Sequence, residues 1–263
     1  MKAFALLLFL ANCQPDSAKI AVNDPPQKKN VKPISKCIDE EKVKYGGDFN
    51  SYDYTYFCPT YHFAYDGDTA KSWSILNPID IHQVSNTVFP IKNRIEKQIQ
   101  AYAGQSFFSH LEFSSVDVVY PDSIRKFDNR GPAVDMSRCK SKYYFFYVFK
   151  ADTEAVYNIG IAADEQGNIL SPFNFPAEAD YKPIDSTLTV CRVLEIAKKA
   201  NRKINPVAEV QFEYNHKSKR FYWLVSQEII DSHEGINKFN QVEIDASDPT
   251  NIKKQVSQAR IVY

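Results

Sequence analysis

The chain has 263 residues, 32 basic and 32 acidic side chains, 44% apolar residues and a mean hydropathy of −0.41. That composition excludes collagen-like, wholly disordered and polytopic membrane classes, and the length suffices to bury a sizeable core. Glycine is scarce at 8 residues and aromatics reach 14%; neither G-x-G-x-x-G nor G-x-x-x-x-G-K-[ST] occurs, which argues against phosphate-cradling loops.

The first residues run Met1-Lys2 and then nine apolar residues, Ala3 to Ala11. Spanning a bilayer takes roughly 20 such residues, so the stretch reads as an export signal. Leu10-Ala11-Asn12-Cys13 resembles the bacterial lipobox, although Asn12 stands where Gly, Ala or Ser is usual. The resemblance implies cleavage before Cys13, lipidation of Cys13 and an outer-membrane or periplasmic lipoprotein; the competing reading is a plain secretory signal. Residues 14–36 hold Pro15, Pro25, Pro26 and Pro33, five lysines and two aspartates, with little that is large and apolar. Such a segment cannot offset its ordering entropy by burial, so a tether carrying +3 is expected, followed by a body of −4. No basic stripe suggests nucleic-acid binding.

Apart from Cys13, the cysteines are Cys37, Cys58, Cys139 and Cys191, an even number suited to an oxidising compartment. Of the three possible pairings, Cys37 with Cys58 is favoured because both flank one Tyr-rich segment. No C-x-x-C occurs, no two of the five histidines fall at metal-ligand spacing with each other, and neither metal nor cofactor is expected.

Between residues 45 and 65, Tyr52, Tyr54 and Tyr56 alternate with polar residues, as do Tyr61, Phe63 and Tyr65, with Cys58-Pro59-Thr60 as a turn between them. Two strands in this phase place six aromatics on one sheet face. The face would either bind sugar rings or a partner protein, or pack on the core as an added hairpin.

A helix is expected from Pro90 to Tyr102, with Ile91, Ile95 and Ile99 on one side and Gly104 after its end. Strands follow at about 108–120, 142–150 and 156–163. The run Tyr143 to Phe149 is so apolar that it should be a central strand, buried on both faces. Residues 121–142 read as an insertion. The same order then recurs. A helix over 186–201, capped by Asp185 or Ser186, carries Val190, Val193, Leu194, Ala197 and Ala200 on one stripe, with Cys191 a buried thiol on it or a disulfide partner. Strands follow around Val210 to Tyr214, Arg220 to Gln227 and Val242 to Ala246. Ile161 to Ile169 matches Ile244 to Ile252 at four of nine positions, at the same place in both α-β-β-β orders.

The second unit, from Val190-Cys191-Arg192-Val193-Leu194 through Phe221-Tyr222-Trp223-Leu224-Val225 to Val242-Glu243-Ile244-Asp245-Ala246, resembles the PepSY-type, cystatin-like domain of exported bacterial proteins. In that family the last strand ends in Val-Asp-Ala-x-Thr-Gly. Here the glycine is missing and Pro249-Thr250-Asn251 is expected to make the turn; the first unit keeps Gly167 but has Ala162 in the Asp place. The resemblance implies a small binding or inhibitory module without catalytic residues.

The nucleophile signatures G-x-S-x-G and H-E-x-x-H are missing, and His233-Glu234-Gly235 reads as a solvated loop. The expectation is therefore an α+β protein: signal peptide 1–12, tether 13–36, Tyr-rich β-hairpin extension 37–89, and two tandem units of a helix on a short antiparallel sheet, 90–183 and 184–263. Its expected role is non-enzymatic: a lipoprotein held to the membrane by its lipid alone, binding a protein or peptide in the envelope. Carbohydrate binding on the Tyr-rich face is the alternative, and an extracellular hydrolase a more distant one.

Overall fold

The computed structural model describes residues 37–48, 60–67, 78–119, 141–151, 154–233 and 236–260, all within the unit Lys32–Tyr263. The signal, the tether with Cys13, Tyr52, Tyr54, Tyr56, Cys58, Cys139 and most of the insertion lie outside the described residues. These residues form an α+β architecture of two six-stranded sheets and two α-helices.

The first sheet has the order β2-β7-β6-β5-β3-β4, from Gly47–Asp48 (β2), Thr60–Ala64 (β3), Ile79–Asp80 (β4), Leu111–Val119 (β5), Tyr143–Lys150 (β6) and Val156–Ala163 (β7). Strands β5, β6 and β7 are the expected antiparallel run. As expected, β6 is central, and Tyr143, Phe145, Tyr147 and Phe149 are buried on one face. The other face is less closed, because Phe146 and Val148 are only half-buried. Strand β3 does not form a separate hairpin extension; it pairs antiparallel with β5 and parallel with β4, inside this sheet.

Helix α1 (Ser85–Phe108) begins five residues before Pro90, which occupies its second turn at the loss of one backbone hydrogen bond. Val88, Ile95, Ile99, Ala103 and Phe107 are its buried stripe. The helical path breaks at Gly104 (φ 77°, ψ 165°). A Cβ there would lie 2.6 Å from Glu178 Cγ, where the passing loop donates Glu178 N to Tyr102 O at 2.9 Å.

The second sheet runs from Val43–Tyr45 (β1) through Val207–Asn215 (β8) and Arg220–Gln227 (β9) to Ile236–Asp245 (β11), with Asp231–His233 (β10) and Asp248–Arg260 (β12) both pairing with β11. Helix α2 (Val190–Ala200) packs over β9 and β11 with Val190, Val193, Leu194 and Ala197 buried. It is shorter than expected. Asp185 is consumed by a local turn, accepting from Thr187 N and Oγ1 at 2.8 Å, and the cap falls to Thr189, which accepts from Arg192 N. Glu154, from beyond β6, adds an acceptor for Val190 N at 2.7 Å.

One segment joins the sheets. β1 pairs parallel with β8, and two residues later β2 pairs parallel with β7. Gly46 between them donates to Phe212 O at 3.1 Å and accepts from Asn158 N at 2.9 Å. On the helix-bearing side a single hydrophobic core continues across this junction. Phe221 of β9 is its centre, stacking on Phe149 (5.2 Å) and Phe212 (5.1 Å) and meeting Tyr157 edge-on at 5.3 Å. The joining segment is also anchored covalently on the second sheet's side: Cys37 is bonded to Cys191 of α2, across 154 residues, with Cα atoms 5.7 Å apart. This corrects the Cys37–Cys58 pairing, and it removes Cys191 as a free buried thiol.

Two substitutions test this junction. Gly46→Ala puts a Cβ 2.1 Å from Phe212 O, so urea unfolding should show a loss of about 3 kcal/mol, at the top of the range for overpacking; a loss indistinguishable from zero would mean the segment does not sit between the sheets. Cys191→Ala should cost about 3–5 kcal/mol, as expected for freeing a long loop, and lower the melting midpoint to that of the reduced protein. Equal midpoints for oxidised and reduced wild type would overturn the pairing.

Candidate functional site

The aromatic face expected on residues 52–65 is not available as a binding surface in its described part. Tyr61 and Phe63 are 2% and 0% exposed, in the core under α1. Tyr65 is half-buried against Phe113, Phe89 and His82. These side chains occupy the inner face of β3, which has the same alternation as a strand with its aromatics facing water. The outer face of β3 carries His62 instead. Its Nδ1 lies 2.5 Å from Oδ1 of Asp117, directly opposite on β5, and Asp117 is 3% exposed. The half-buried ring of Phe146 lies 6.2 Å from the imidazole. A buried carboxylate on Nδ1 fixes the tautomer and orientation of such a ring.

A second feature is an open groove of about 570 Å³ along one flank of α2. Leu194 and Lys198 of the helix face Ile38, Asp39, Glu40 and Lys42 across it, with Pro206 and Val207 at the floor. Lys42 is already engaged, donating to Val207 O at 3.0 Å. The groove is built by the same Cys37–Cys191 bond that holds the junction, and its charges are of mixed sign.

The third is the outer face of the second sheet and the edge of it that is unpaired among the described residues. Gln241 of β11 donates to Ser226 (3.2 Å) and accepts from Gln255 and Ser257 of β12 (2.8 Å each). Next to it Lys253 pairs with Glu243 at 2.7 Å and lies 5.1 Å over the Tyr222 ring. At the end of this ladder stands Asp245, whose side chain is 0% exposed. It accepts from Ser247 N (2.9 Å), Ser247 Oγ (2.7 Å), Arg220 Nη1 (2.9 Å) and Asn251 Nδ2 (3.2 Å). Burial alone would raise its pKa, but donation from Ser247, Arg220 and Asn251 outweighs burial and holds the carboxyl below its ordinary value.

This network fixes a turn different from the expected one. The chain reverses at Ala246 and Ser247, and Pro249, Thr250 and Asn251 already belong to β12. Among the described residues β12 is the longest strand, thirteen residues, and it pairs with β11 alone. Sequence reasoning missed it, since only Ile252 and Val256 interrupt a polar run; their spacing of four on a period of two was the available signal.

No family model, curated protein or solved structure matches this chain. The surfaces are therefore interpreted from their own chemistry.

Asp245 provides a pH test. A carboxyl depressed in the folded state contributes stability that is complete above its unfolded pKa and is lost as pH falls through the folded one. Unfolding free energy should therefore drop below about pH 4, and Asp245→Asn should flatten that drop while costing about 2 kcal/mol at pH 7 from the broken network. An acid limb of unchanged steepness in the variant would remove Asp245 from this role.

Proposed function

We propose that this chain is an exported, non-enzymatic binding protein, held to a membrane by a lipid on Cys13, whose body engages a protein or peptide partner. Export is supported above all by the Cys37–Cys191 bond, since a structural disulfide closing so long a loop belongs to an oxidising compartment. It agrees with the signal-like start, the lipobox-like Leu10-Ala11-Asn12-Cys13 and the Pro- and Lys-rich stretch that follows.

The body is interpreted as two related units of the PepSY, cystatin-like kind. In support, each sheet contains an antiparallel three-strand run, β5-β6-β7 and β8-β9-β11, and each run follows a helix. The turns after β7 and β11 also use one device. Asn168 donates to Asp164 at 2.7 Å as Asn251 donates to Asp245, and the two asparagines occupy matched positions of the internal repeat. Binding is supported by surface form: the groove beside α2 and the one-sided strand β12 both offer an extended chain a place to lie.

Intact mass of the protein from its native cell tests the anchor, with a mature chain starting at an acylated Cys13 expected; an unmodified N-terminus at any other residue rejects it. Binding is tested by chemical cross-linking in intact envelopes. A discrete adduct should persist when Cys13→Ser releases the body from the membrane, and loss of every adduct in that variant would show that only the lipid makes contacts.

A further inference from the structure

The edge of β12 that is left unpaired among the described residues identifies the kind of partner. A sheet edge presents unpaired N–H and C=O groups and is ordinarily blunted by short strands, bulges, proline or charge. In β12 those devices gather at one end. The single register irregularity with β11 falls between Ile244 and Asp245, and Pro249 is the second residue of the strand. Lys253, the first lysine, is engaged by Glu243 and the Tyr222 ring on the outer face. From residue 250 to 258 the only charge that remains is Lys254, which is exposed and without an ion-pair partner among the described residues.

Lys254 lies opposite Val242, and Ile252 and Val256 flank it on that same face, the one that carries α2. Val256 is 61% exposed. Lys198 lines the groove and Cys191, about two turns away on the same flank, is bonded to Cys37 on the groove's wall; helical periodicity sets Ile196 and Ala200 on the opposite flank, toward β12. The edge therefore combines open backbone, an apolar step and one uncompensated cation. The strand as a whole has Lys253, Lys254 and Arg260 against one acid, Asp248.

We propose that this edge takes up an extended acidic segment of a partner protein as an added strand: its backbone pairs with residues 250–258, a carboxylate meets Lys254 and an apolar side chain covers Val256. This rests on the binding function proposed above and names its partner class. A second copy of the chain is a poorer occupant, because residues 250–258 contain no acid to set opposite Lys254.

The test is amide hydrogen exchange on the full chain with two probe peptides of about nine residues, one alternating valine with glutamate and one alternating valine with lysine. The acidic peptide should slow alternate amides of 250–258 by about tenfold, more weakly as salt is raised, and the lysine peptide should not. Lys254→Glu should reverse that preference with the unfolding midpoint unchanged, and Val256→Pro should abolish both effects. Equal protection by both peptides would overturn the acidic partner. Protection that grows with protein concentration alone would assign the edge to a second copy. Protection confined to residues 37–42 and 194–207 would overturn the edge while leaving the binding function standing, whereas a peptide-induced slowing nowhere in the chain, together with loss of the envelope cross-link, would overturn both.

Discussion

The fold depends on one residue that has a hydrogen bond on each side. Gly46 donates to Phe212 in one sheet and accepts from Asn158 in the other, so the strand edges of β8 and β7 are satisfied by the same short piece of chain. Neighbouring strands lie about 4.8 Å apart, which leaves no room for a side chain directed at either backbone. Gly47 continues the crossing at φ 142°, where a Cβ would come within 2.3 Å of Asn158 O. Two of only eight glycines are spent here. The junction closes both inner edges, and the single core runs past it at Phe221, buried between Phe149 and Tyr157 of one sheet and Phe212 of the other.

Much of this was readable from pattern. Strands β5, β6, β7, β8 and β9 announce themselves by apolar alternation or by an aromatic run, and the helices by stripes such as Val190, Val193, Leu194 and Ala197. What could not be read is long-range. Lys44-Tyr45-Gly46-Gly47-Asp48 has no periodicity, and its two glycines resemble an ordinary turn until the neighbours on both sides are known. The disulfide was misassigned for the same reason, since proximity in sequence favoured Cys58 while the pairing of β1 with β8 brings Cys37 to α2. Alternation also does not say which side of a sheet faces water. Tyr61 and Phe63 fit a ligand face and a core equally well, and the order of strands around β3 decides for the core.

The candidate binding features divide around α2. On one flank is the groove, with acids and lysines intermixed and Cys37 on its wall; on the other are Ile196 and the edge strand, whose residues 250–258 carry lysines and no acid. The polar ladder behind β12 explains how so hydrophilic a strand stays in register. Gln241 alone bonds Ser226, Gln255 and Ser257, tying three strands together through side chains where apolar packing is thin. The sheet is thus rigid close to an edge that is chemically unfinished.

The position of Cys37 has a mechanical consequence. A pull that reaches Cys37 from its N-terminal side meets the disulfide before it meets β1. Without the bond, the load would reach the three-residue strand β1 and unzip it from β8 one hydrogen bond at a time. With it, the tension passes through sulfur into the first turn of α2 and is shared by a helix seated on two strands. The bond therefore acts as a strain relief, like a clamp on a cable, and keeps Gly46 out of the path of the force.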